Sequence, residues 1–67
     1  MSEIIFQIEE APEGGYTAQA LGHAIFTEAE SLEELRHKVR DAVRCHFDGT
    51  GPKLIRLHFV RDEVLAA

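Results

Sequence analysis

The chain predicts an α+β fold in which three strands, one helix and a last strand share a single sheet. Three observations carry that prediction. Residues 3–9, EIIFQIE, alternate apolar and polar side chains, the period of a half-buried strand. Residues 32–46 place Leu32, Leu35, Val39, Ala42, Val43 and His46 on one stripe at helical spacing. Residues 53–60, KLIRLHFV, return to alternation.

The first strand directs Ile4, Phe6 and Ile8 to one face and Glu3, Ile5, Gln7 and Glu9 to the other. EEAPEGG follows as a turn, because Pro12 restricts φ and Gly14 and Gly15 permit positive φ. YTAQAL reads as a second strand, with Tyr16, Ala18 and Ala20 opposed to Thr17, Gln19 and Leu21. Gly22 and His23 break it, and AIFTE reads as a short third strand.

The helix has a clear start. Ser31 suits the N-cap, its hydroxyl accepting from the backbone N–H of Glu34 while Glu34 reaches back to the N–H of Ser31. Glu28, Glu30, Glu33 and Glu34 all lie near the positive end of the helix dipole. FDGTGP ends the helix, with Gly49 suited to the C′ position and Pro52 unable to continue it. In the last strand Ile55, Leu57 and Phe59 share one face, and Arg56 and His58 the other.

The order is β-β-β-α-β. A right-handed crossover then lays the fourth strand parallel to the first, which gives a four-stranded mixed sheet in the order 3-2-1-4 with the helix on one face. The expected core joins Ile4, Phe6, Ile8, Tyr16, Ala18, Ile55, Leu57 and Phe59 to Leu32, Leu35, Val39 and Val43. The opposite face, with Ile5, Gln19, Arg56 and His58, is left open and is a candidate dimer surface, as are the edges formed by strands three and four.

All 67 residues read as one domain, with a core of about 3–60 and a tail over 61–67. So short a chain buries only about 60% of its unfolded surface, so self-association as a homodimer or larger is expected. Cys45 is the only cysteine, which excludes an internal disulfide and points, with no export signal at the N-terminus, to the cytoplasm. No apolar run is long enough to cross a membrane.

The net charge of −5 is unevenly placed. Residues 1–34 carry eight glutamates and no Lys or Arg, whereas 35–67 carry seven basic and four acidic residues, so the halves are −8 and +3. That balance argues against direct binding of nucleic acid and suits a basic protein partner. Glu9, Glu10 and Glu13 in the first turn, or the glutamates at the helix start, are the candidate partner surface.

Two stretches, GGYTAQ and TEAESLEELRHKVRDAV, resemble the partial RNase H-like domain of HicB-type antitoxins. Gly15 and Tyr16 match the family's strand start, and Thr27, Ser31, Leu32, Glu33 and Glu34 match its helix start. The resemblance spans roughly residues 3–60. Two features depart from the family. His23-Ala24 stands where Pro-Gly is common, and no helix-turn-helix or ribbon-helix-helix domain follows the last strand. The resemblance implies a non-catalytic module that dimerises and caps a small basic RNA-cleaving toxin of the HicA type. The alternative is a stand-alone oligomeric domain that binds a small ligand or regulates.

Neither catalysis nor a cofactor nor a metal is expected. Nuclease chemistry needs converging carboxylates for divalent metals, but Glu3 and Glu9 sit at the ends of their strand and no Asp precedes Asp41. His37 and His46 lie nine residues apart on the helix and point to opposite sides. His46 reads as a packed ring on the apolar stripe and His58 as an exposed one. Cys45 sits at the helix C-terminus, where the dipole disfavours a thiolate. EGGY and DGTGPK lack the spacing of a phosphate-binding loop.

Overall fold

A computed structural model describes residues 2–67. Strand β1 runs over Glu3–Glu10, β2 over Tyr16–Ala20 and β3 over Phe26–Ala29; helix α1 covers Leu32–Phe47 and β4 covers Leu54–Val60. They form one four-stranded mixed sheet in the order β3-β2-β1-β4, with α1 on one face. β1 pairs antiparallel with β2 and parallel with β4, and β2 pairs antiparallel with β3. This is the β-β-β-α-β architecture that the sequence predicts.

Register sets the two faces. Phe6 lies opposite Ala20 and Leu57, and Ile8 opposite Ala18 and Phe59, so these residues share the helix side. Small Ala18 and Ala20 on β2 let α1 approach, and Leu35 and Val39 fill the space above them; all four are buried. Ile4, Phe6 and Ile8 are buried from below. Fully burying a side chain of this size contributes about 1.5–3 kcal/mol, so these few residues supply most of the hydrophobic stabilisation.

The core differs from the expected one at its margins. Ile25, Ala29 and Ala20 are also buried in the core; β3 spans Phe26–Ala29 rather than residues 24–28 and packs against the helix. Phe59, expected inside, is 51% exposed, and Ile55 and Leu57 are only half-buried. The cause is lateral: α1 packs against β3 and β2 and lies away from β4. Tyr16 and Leu32 are likewise half-buried against the core.

Ser31 is the N-cap, with extended backbone (φ −135°, ψ 161°), and its Oγ accepts from the N–H of Glu34 at 3.1 Å. The return bond differs from the expected capping box. Glu34 Oε1 accepts from the backbone N–H of Glu30 at 3.0 Å, one residue before the cap. At the other end the chain turns left-handed at Asp48 (φ 51°), one residue before Gly49 (φ 83°). Thr50 then closes the turn, its hydroxyl and its N–H both donating to the carbonyl of Phe47. Residues 61–67 leave β4 without helix or strand. No helix among the described residues is long and apolar enough to cross a membrane.

Candidate functional site

The acidic turn is built by short-range geometry. The N–H of Gly14 donates to Ala11 at 3.0 Å and the N–H of Ala11 to Gly15 at 2.9 Å, with both glycines at positive φ. Gly15 is needed for a second reason: a Cβ there would stand 2.9 Å from the carbonyl oxygen of Ala29. The turn therefore closes against the end of β3 and the helix start.

That closure joins two clusters between which the sequence left a choice. Glu13 from the turn and Glu28, Glu30 and Glu34 from the helix start line one open hollow of about 420 Å³. Glu9 extends the acidic surface onto the open face, where it lies opposite Thr17, which lies opposite Glu28. Glu10 pairs with Tyr16 at the same end of the sheet. Glu9, Glu10 and Glu13 are all exposed. One cation enters the hollow: Lys38 donates from Nζ to the backbone carbonyl of Glu28 at 3.0 Å. The distribution is thus an acidic end of the molecule rather than an acidic half.

The open face holds the other group named from the sequence. Gln7 lies opposite both Gln19 and His58, and Ile5 lies opposite Arg56, so Ile5, Gln19, Arg56 and His58 share this side. Arg56 donates from Nε and Nη2 to Glu3 Oε2 at 3.1 and 2.8 Å. Those hydrogen bonds, and then the nearby negative charge, hold its guanidinium above the ordinary pKa. The pair neutralises one of the eight N-terminal glutamates. Ile5 is half-buried, while Phe26, Leu21 and Leu54 on the same side are largely exposed.

Sequence reasoning missed a third surface. Arg36, Arg40 and Arg44 fall at i, i+4 and i+8, one stripe over from Leu35, Val39 and Val43. They overlook a groove of about 660 Å³ between α1 and β4, whose floor is Val39, Val43, Ile55 and Leu57 and whose end carries Lys53. The spacing was legible; that it faces the uncovered strand was not. Arg44 lies 3.5 Å from Asp41, an exposed pair.

Reactive groups do not converge. His46, expected packed on the apolar stripe, is exposed, because the last helical turn lies over the 21–25 loop rather than over a strand. It meets His23 and Phe47 edge-on, with centroids 6.0 and 4.8 Å apart. Cys45 and His58 are exposed. Among the described residues no three His, Cys, Asp or Glu side chains gather as metal ligands would.

Comparison with known proteins adds a family. A UPF0150 protein of Archaeoglobus fulgidus is 62% identical over 52 residues, covering 76% of this chain and 77% of the relative. A UPF0150 protein of Thermotoga maritima is 41% identical over 64 residues, covering 96% of this chain and 91% of the relative. The chain belongs to the UPF0150 family. No family model matches it, and no solved structure does. The UPF0150 name states kinship and no activity, so the functional reading of this member rests on its surfaces.

Proposed function

We propose that this UPF0150 protein is a non-catalytic protein-binding module of the cytoplasm that resembles HicB-type antitoxins. It works as a homo-oligomer, and its acidic end binds a small basic partner of the HicA type, an RNA-cleaving toxin. The observation that supports this reading is the merging of the turn and the helix start into one acidic surface carrying Glu9, Glu10, Glu13, Glu28 and Glu30. A concentrated patch of one sign steers a partner of the other sign and raises the encounter rate, with little need for deep pockets. The fold adds support, since the resemblance implies the same strand and helix order.

The test is association with a purified basic toxin of that type, followed by stopped-flow at several ionic strengths. Charge reversal of Glu9, Glu10 and Glu13 to Lys should leave the circular dichroism spectrum intact, slow association and flatten its dependence on salt. Equal rates and equal salt slopes for wild type and triple variant would remove the acidic end from the interface. No association of either protein would favour the oligomeric ligand-binding alternative.

A further inference from the structure

Most of the chain's positive charge gathers on one wall. Arg36, Arg40 and Arg44 on α1 and Lys53 before β4 border the groove between helix and strand. Elsewhere Lys38 donates to the Glu28 carbonyl, Arg56 pairs with Glu3, and Arg61 follows β4. Among the described residues Arg36, Arg40 and Lys53 form no ion pair, and Arg44 reaches Asp41 only at 3.5 Å, with both side chains exposed. Glu33, one turn before Arg36, ends the basic run at the helix start. The foot of the groove is fixed, because the loop after α1 closes tightly on it: a Cβ on Gly51 would stand 2.6 Å from the Cβ of Phe47. Beneath the wall the floor is aliphatic, with Val39, Val43, Ile55 and Leu57 and no aromatic ring.

The bare part of the sheet is one helix wide. α1 packs against β3 and β2. Strands lie about 4.8 Å apart, so β4 runs about 10 Å to the side of β2 in the order β3-β2-β1-β4. Packed helices also sit about 8–10 Å apart. A second helix beside α1 would therefore lie over β4, on Ile55 and Leu57 and against Phe59, which is 51% exposed. Arg36, Arg40 and Arg44 climb the wall at about 6 Å per step. Acidic residues four apart on a neighbouring helix have the same rise, so three pairs form at once.

We propose that the groove between α1 and β4 takes an amphipathic helix of a partner protein, its aliphatic stripe on the floor and its flanking Glu or Asp residues, four apart, along Arg36, Arg40 and Arg44. Burial of the floor supplies affinity, and the guanidinium row selects an acidic partner. Other occupants fit less well. A small ligand would keep one side in water, because the groove has a wall on α1 and none beyond the edge strand β4. Single-stranded nucleic acid needs rings on which bases stack, and the lining has none. A strand added to β4 would lie in the plane of the sheet and leave Val39 and Val43 uncovered. The acidic end of a second copy has the right charge, but its hollow presents no large aliphatic side chain to the floor. This site is separate from the acidic end and stands without it.

The probe is a fluorescein-labelled synthetic helix of about 18 residues, long enough to hold its shape in water, with one leucine stripe and glutamates four apart along its flank. Fluorescence anisotropy with the full-length protein should show saturable binding, and a matched peptide with Lys for each Glu should bind at least about tenfold more weakly. Arg36→Glu with Arg40→Glu, both at exposed positions, should leave the circular dichroism spectrum intact and make the Lys peptide the tighter ligand. Arg36→Gln with Arg40→Gln should bring the two peptides close to equal. The Glu peptide should shift the backbone amides of residues 39–44 and 53–57 and leave those of the 11–15 turn in place. Equal binding of the two peptides to wild type, or shifts centred on the turn, would overturn the site. Tighter binding of the same composition in strict Leu-Glu alternation would make the occupant a strand, and tighter binding of dodecanoate would make it a small anionic amphiphile. Movement of the groove amides with protein concentration alone would mean that a second copy covers them. Each of these three results overturns the partner helix.

Discussion

The two edges of the sheet are built differently. The β3 edge is four residues long, carries Glu28 and is followed by Glu30, and it is roofed by α1, with Ile25 and Ala29 buried beneath the helix. Lys38 crosses to it and donates to the carbonyl of Glu28. The β4 edge is seven residues long and apolar on the helix side, and α1 lies away from it. The difference teaches a geometric limit. A helix is about 10 Å wide, whereas four strands at about 4.8 Å spacing set the outer two some 14 Å apart. One helix with a single fully buried stripe of Leu35, Val39 and Val43 covers part of such a sheet. The side it favours becomes a closed edge, and the other is left bare.

The largest test of this contrast sets Phe6 against Phe59. Phe6→Ala, at a fully buried position under the helix, should cost about 3–5 kcal/mol in urea denaturation, enough to unfold most of a domain this small. Phe59→Ala should cost less than about 1 kcal/mol when the protein is dilute and monomeric, because the ring is already half in water. Equal costs at sub-micromolar concentration would mean that the β4 edge is not bare.

Next comes Gly15, which lets the turn close on β3. Gly15→Ala forces a side chain into φ +84° and against the Ala29 carbonyl, and should cost more than about 1 kcal/mol. The backbone amide shifts of residues 28–30 should move with it, while those of β4 stay in place. Uniform shifts across the sheet would deny the local closure.

The helix start on the closed side provides a smaller effect. Ser31→Ala removes the acceptor for the Glu34 N–H and should cost about 1 kcal/mol, or about 4–8 °C of melting temperature at this size. An unchanged melt would show that the Ser31 hydroxyl adds nothing to the stability of the helix start. The smallest effect belongs to the open face beside β4. Arg56→Gln breaks an exposed pair with Glu3 and should leave the melting curve unresolved from wild type, since solvent screens such pairs. A clear drop in melting temperature there would show that the open face is covered in solution.

Much of the architecture was legible. The alternation of Ile4, Phe6 and Ile8, the Ser31 cap and the two changes of period were enough for the sheet order, because each rests on local spacing. The third strand starts two residues later than AIFTE predicts. AIFTE has no clean alternation, and its bounds came from pairing with β2, where Tyr16 meets Ala29 and Gln19 meets Phe26. The candidate surfaces were legible only as pieces. Glu9, Glu10 and Glu13 were evident as a cluster, and so were the glutamates around Ser31. Arg36, Arg40 and Arg44 were visible at helical spacing yet had no reason to be singled out.

The sequence by itself determined which residues can be buried and in what order the elements follow, since hydrophobic period, capping chemistry and turn glycines act over a few residues. Only the tertiary structure decided that Glu13 meets Glu28, Glu30 and Glu34, that Glu3 meets Arg56, and that Phe59 lies beyond the helix. These outcomes depend on where a helix settles across a sheet wider than itself. That position is chosen by the small side chains of Ala18, Ala20 and Ala29, which admit the helix, acting together with Ile25 from the connection between β2 and β3. Packing of this kind is a property of the assembled layer, and no local period encodes it.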